Sequence, residues 1–212
     1  MPKPDIQPRK SPRQSRSIAT VAVILEAATR VLARDSLEGF NTNRVAEVAG
    51  VSVGSVYQYF PNKAALVTAL IDRAQGELAD ALEALVAQLD AAPLEESLHA
   101  VASLAIRQQY GNPVLASALD HEEKRLPVQA HLRQFEARIV ACTAMLLQRH
   151  AKHLSPGLSK GLPTTAARDC LVITKALVEA DAELGRKPPP DLADRIVRAL
   201  MGYLCWNPKP RK

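Results

Sequence analysis

The chain has 212 residues, of which 47% are hydrophobic and 23% charged, an ordinary globular composition that allows one large domain or two small ones. Aromatic residues make up only 4% while Ala and Leu dominate, which argues against an all-β protein, because strands favour β-branched and aromatic side chains. No apolar run reaches the ~18 residues of a membrane-spanning helix, and Met1-Pro2-Lys3-Pro4-Asp5 lacks the apolar core of a signal peptide, so a cytoplasmic protein is expected.

The formal net charge of +5 is unevenly spread. Residues 1–16 carry five Lys or Arg against Asp5, a net of +4, whereas residues 17–63 sum to zero and the remainder to +1. The first 16 residues are also rich in Pro, Ser and Gln, and read as a flexible basic arm suited to a polyanion. The three cysteines, Cys142, Cys170 and Cys205, are far apart, sit inside apolar helical patterns and form no C-x-x-C, which predicts free, buried thiols.

From Ser17, a possible cap, the apolar residues Ile18, Ala22, Leu25, Ala28 and Leu32 lie on one face of a helix that ends in the run Asp35 to Phe40. A short helix from Asn43 to Ala49 is expected next, capped by Thr42 and ended by Gly50. Ser52 caps a third helix, Val53 to about Phe60. Pro61 then breaks the chain, and Asn62 caps a long helix from Lys63 to Leu89 with Leu66, Leu70, Ala74, Leu78, Leu82 and Leu85 on one face. Two short helices joined through Ala49-Gly50-Val51 have the layout of a helix-turn-helix, with small Ala46 admitting close approach and Val51 and Val56 filling the gap. An ordinary helical hairpin has the same spacing; the content of the second helix distinguishes them. Gly54 costs about 1 kcal/mol relative to Ala in a helix interior and needs a compensating reason, such as close approach to DNA. Ser52, Ser55, Tyr57, Gln58 and Tyr59 add hydroxyls and an amide suited to phosphates or base edges.

Residues 17 to about 70 resemble the DNA-binding domain of the TetR family of transcriptional regulators. The resemblance rests on the run Val51-x-x-Gly54-x-Val56-Tyr57-x-Tyr59-Phe60-Pro61-Asn62-Lys63-x-x-Leu66. It implies an all-α fold: a flexible arm (1–16), a three-helix DNA-binding domain (17–63) and a larger helical regulatory and dimerisation domain (64–212), about nine helices in all. By position it implies phosphate contacts from Thr42, Tyr57, Tyr59 and Lys63. Base-edge contacts fall to Asn43 and Arg44 and to Ser52, Val53, Gly54 and Ser55, with Gln58 adjoining them. The position of Val53 often carries a polar reader in this family, whereas valine offers apolar contact only. Arg13 and Arg16, just before the first helix, are within reach of a minor groove or adjacent phosphates.

Beyond residue 70 the resemblance is to a general plan. Helices are expected at about 94–109, 114–122, 127–153, 164–184 and 191–206. The resemblance makes the last two a dimer interface, with Leu171, Thr174, Leu177 and Val178 on one and Leu192, Ile196, Leu200 and Tyr203 on the other. It also implies an operator of double-stranded DNA, a homodimer and a small apolar or amphipathic effector, with the long helix from Lys63 transmitting effector binding. Arg107, Gln108, Tyr110, Gln134 and Arg138 are open both as polar contacts to an effector and as solvated face residues. No cofactor is implied. The pair His150/His153 and the run Asp120-His121-Glu122-Glu123 are read as structural rather than metal-binding, and no nucleophile elbow, Walker loop, Rossmann fingerprint or H-E-x-x-H occurs. The expected function is a ligand-released repressor and not an enzyme. Residues alone leave open an activator, a ligand-independent or architectural DNA binder, and a helical enzyme or carrier on the same scaffold.

Overall fold

The computed structural model describes residues 6–8, 15–159 and 163–207, and every described element is helical. In chain order these are α1 (Ser15–Gly39), α2 (Thr42–Ala49), α3 (Val53–Tyr59), α4 (Lys63–Gln88), α5 (Leu94–Tyr110), α6 (Pro113–Arg125), α7 (Gln129–Arg149), the four-residue α8 (Pro156–Ser159), α9 (Pro163–Ala182) and α10 (Leu192–Cys205). Leaving out α8, nine helices lie among the described residues, and the fold is all-α as expected.

Two departures from the expected elements have local causes. α1 runs on to Gly39, but Ser36 breaks its regularity at φ 55 and ψ −173, so the Asp35-to-Phe40 run is a kinked last turn. The helix expected at 127–153 stops at Arg149, because His150 leaves helical geometry at φ −104 and ψ 16. A 3-10 turn, Ala151–His153, follows, with the amide of His153 bonded to the carbonyl of His150 at 2.9 Å.

The chain divides into two compact units. Unit 1 comprises residues 1–76 and 112–133. Its core joins Ile24, Ala28, Val31 and Leu32 of α1 to Val45, Val56, Phe60, Leu66, Leu70 and Ile71, and takes in Ala118, Leu119, Leu126 and Val128 from the α6 region. The unit therefore extends past a boundary at residue 63. The first turns of α4 bury Leu66 and Val67 completely, and α6, started by Asn112 whose side chain accepts from the amide of Leu115 at 3.2 Å, packs on α1. Ile6 also belongs to this core at 8% exposure. At residues 6–8 the segment expected to be a free arm instead places Ile6 in this core.

Unit 2 comprises residues 77–111 and 134–212. One cluster joins Leu98 and Ala102 of α5, Leu147 of α7, Cys170 and Val178 of α9, and Leu192, Ile196, Leu200 and Leu204 of α10. A second sets Ala79, Leu82 and Val86 of α4 against Ile139, Cys142 and Leu146 of α7. Polar groups fasten these contacts. The guanidinium of Arg138 reaches Glu83 at 2.8 and 3.0 Å and Asp80 at 2.6 Å, Arg149 donates to the carbonyl of Val86 at 2.8 Å, and the Tyr110 hydroxyl donates to the carbonyl of Val178 at 3.1 Å. Arg138 and Tyr110 are therefore engaged within the unit, whereas Arg107, Gln108 and Gln134 are exposed.

Part of the expected dimer stripe is taken up within the protomer. Ile196, Leu192, Leu200, Val178 and Thr174 are 0%, 1%, 2%, 4% and 8% exposed in a single chain, so this protomer's own core consumes them. Leu171, Leu177 and Tyr203 are half-buried, and the Tyr203 hydroxyl donates to Asp169. The apolar residues left facing outward include Val172 at 60% and Trp206 at 67%.

Candidate nucleic-acid interface

The geometry of α2 and α3 is set by backbone caps. Asn41, extended at φ −149 and ψ 159, accepts from the amide of Arg44 through its side chain at 2.9 Å and begins α2. This corrects the expected cap at Thr42. Two adjacent residues both have capping chemistry, and the one that stays extended takes the role. Thr42 is instead the buried first helical residue, its hydroxyl 3.0 Å from that of Tyr57. α2 ends at Gly50, which takes the left-handed conformation at φ 66 and ψ 29. The amide of Gly50 returns to Glu47 at 3.2 Å and that of Val51 to Ala46 at 3.1 Å, a two-bond closure that turns the chain sharply.

Ser52 then caps α3 by accepting from the amide of Ser55 at 3.0 Å, and the two hydroxyls lie 2.8 Å apart. Val56 and Ala46 fill the junction at 0% and 1% exposure. The opposite face of α3 points outward: Ser52, Val53, Gly54, Tyr57 and Gln58 are exposed. Tyr59 is half-buried against the unit 1 core, so packing fixes its ring. Gly54 is the informative position. A methyl group built there meets only the Ser52 hydroxyl oxygen at 3.8 Å, an ordinary contact, and its backbone is not left-handed. Nothing among the described residues requires glycine there, which points to a reason outside the chain for accepting its helix cost.

The charged groups around this surface are tied to one another. Arg34 grips Asp35 through two bonds of 2.6 and 2.7 Å, and that hydrogen bonding holds the Asp35 carboxyl below its usual value. Arg44 lies 2.5 Å from Glu47 and 3.8 Å from Asp35. Lys63 donates to the carbonyl of Leu37 at 2.7 Å and sits 5.6 Å from the centre of the Phe40 ring, locking the start of α4 to the end of α1. The amide of Ala65 completes that start by donating to the Asn62 side chain at 2.9 Å. Asn43 is exposed. The structure thus gathers Thr42, Asn43 and Arg44 with the α3 residues and Lys63 in one unit, whereas Arg13 and the Arg16 side chain lie outside the described residues.

Sequence reading missed Asn41 and the Asp35 and Glu47 partners of the arginines. Asn41 was legible as a cap-type residue, and Arg34 with Asp35 and Arg44 with Glu47 as neighbours in sequence and at i,i+3; only the contact of Arg44 with Asp35 depends on where the kink at Ser36 sends α1. It also missed an open groove of unit 1, lined by Val23 and Leu25 of α1, Val48 and Ala49 of α2, and Arg73 of α4.

Comparison with known proteins converges on this region. Residues 24–70 match the model of bacterial regulatory proteins of the tetR family. The HTH-type transcriptional repressor DrrR1 of Streptomyces coeruleorubidus is 33% identical over 67 residues. That match covers 32% of this chain and 25% of DrrR1, so it spans a quarter of the relative's length. The fold as a whole resembles that of the fatty acid degradation regulator FadR of Bacillus halodurans, with a TM-score of 0.67, 18% identity, and coverage of 92% of this chain and 97% of that one. A TetR-family transcriptional regulator of Mesorhizobium loti gives a TM-score of 0.64 at 20% identity, covering 89% and 98%.

Proposed function

We propose that this chain, which belongs to the TetR family of transcriptional regulators, is a dimeric repressor that holds a palindromic operator and is released by a small apolar or amphipathic ligand. The observation that carries DNA binding is the exposed face of α3, where Gly54, which nothing among the described residues requires, lies among Ser52, Val53, Tyr57 and Gln58. On this reading, Ser52, Val53, Gly54 and Ser55, with Asn43, Arg44 and Gln58, approach base edges. Thr42, Tyr57, Tyr59 and Lys63 take phosphates, helped by Arg13 and Arg16. Arg44 exchanges Glu47 for DNA, and the Lys63 ammonium, with three donors, keeps Leu37 while meeting a phosphate.

Repression is supported by the name of the DrrR1 relative, and an apolar or amphipathic effector is in keeping with the fatty acid degradation role named for the similarly folded FadR. Dimerisation follows from reach: one seven-residue helix reads too few base pairs, and a two-fold pair reads half-sites about 34–36 Å apart or a multiple of that. The surface for it is the outer side of α9 and α10, with Leu171, Leu177 and Tyr203 at its margin and Val172, Ala199, Gly202 and Trp206 exposed. The test is fluorescence anisotropy on labelled DNA from upstream of the chain's own gene, against scrambled competitor at fixed salt. Specific binding that Tyr57→Ala abolishes is the expected result. Binding no better than to scrambled DNA, over all of that upstream region, overturns the operator assignment.

A further inference from the structure

The N-terminal segment makes contacts that DNA recognition does not use. Ile6 is buried in the unit 1 core. Beside it, Nε2 of the Gln7 amide lies 3.0 Å from Nε2 of His131, and Nδ1 of the same ring lies 3.2 Å from Oδ2 of Asp72. A carboxylate only accepts, so Nδ1 donates to Asp72, and the neutral ring is left with Nε2 as an acceptor for the Gln7 amide. The donors and acceptors therefore form one chain running from Gln7 through His131 to Asp72. The other Asp72 oxygen is buried without a partner, which makes the His131 bond the contact that satisfies this carboxylate. His131 is two residues into α7 and Asp72 lies on α4, so the chain of bonds joins three separate stretches of unit 1.

We infer that residues 6–8 are a docked strap, plugged by Ile6 and latched through Gln7, His131 and Asp72, so that the N-terminal segment and the head of α7 open and close together. The physical reason is reciprocity. A bond that holds the strap to His131 also holds His131 to the strap, and either end loses protection when the other is released. The strap immediately precedes in sequence the run that carries Arg9, Lys10 and Arg13. The latch stands on these contacts alone, whatever the chain binds.

The test is amide hydrogen exchange on the full-length chain without DNA. Ile6→Ser is expected to speed exchange at residues 129–133 by about tenfold or more, and His131→Leu to do the same at residues 6 and 7, in each case by more than in α2 and α3. Gln7→Ala, a change at an exposed side chain that leaves the core intact, is expected to act in the same direction more weakly. If each substitution altered exchange only around its own position, or residues 6 and 7 exchanged at the rate of an unfolded peptide in the unmodified chain, the strap would be overturned.

Discussion

The helix-turn-helix of unit 1 and the α9/α10 pair of unit 2 are both helix pairs read from side-chain patterns, and they behave oppositely. In α2 and α3, Asn43, Ser52, Val53, Gly54, Tyr57 and Gln58 remain exposed, while Asn41, Gly50, Ser52 and Asn62 fix the backbone around them. In α10 the strongest apolar stripe, Leu192, Ile196 and Leu200, is spent inside the protomer. The contrast teaches that a polar surface helix held by caps advertises its outward face. An apolar stripe states only that something covers it, and the same chemistry serves a core and an interface.

Substitution inside the α10 stripe breaks the comparison most severely. Ile196→Ala and Leu200→Ala each leave a cavity and are expected to cost about 2–5 kcal/mol in urea unfolding; an unchanged midpoint with lost dimerisation would return these residues to an interface. Next comes Gly50→Ala, which forces a side chain into the left-handed region and is expected to cost about 1 kcal/mol. Gly54→Ala runs the other way. With open space at Cβ it is expected to gain up to about 1 kcal/mol in stability while weakening operator binding, a pair of opposite signs readable by thermal melting and anisotropy.

Thiol labelling sharpens the picture of unit 2. Burial pushes the Cys170 thiol up to about 12 and raises that of Cys142, while Cys205 is only half-buried. A colourless aromatic disulfide reagent is expected to titrate one thiol quickly in the native chain and three after unfolding.

The smallest expected effect belongs to Asp72, whose carboxyl burial raises, against the opposing pull of His131. A folded value above the unfolded one favours the protonated form. The stabilising contribution is therefore complete below the unfolded value near 3.8 and lost as pH rises through the folded value. Asp72→Asn is accordingly expected to gain on the unmodified chain as urea unfolding is moved from about pH 3 to pH 7. A difference constant across that range would place the carboxyl in water.

Much of unit 1 was legible because its signals are local. Gly50 ends a helix since only glycine takes φ 66 there without strain, and Ser52 and Asn62 cap helices by reaching three residues ahead. The Asn41 and Thr42 assignment failed because both residues have the right chemistry, and the choice depends on how the kinked end of α1 delivers the chain. Ile6 was read as part of a polar tail for a related reason: one isoleucine among Pro, Lys and Gln has no periodicity to announce burial.

The sequence by itself determined the two short helices α2 and α3, the turn at Gly50 between them and the all-helical class, because capping, glycine conformation and the 3.6-residue period act over a few residues at a time. Only the tertiary structure decided which faces of α9 and α10 are used up within the chain, which acids hold Arg138, and where Ile6 and Gln7 dock. These depend on contacts between residues far apart in sequence, such as Gln7 and His131 or Arg138 and Asp80, and apolar burial is non-directional, so local pattern cannot specify the partner.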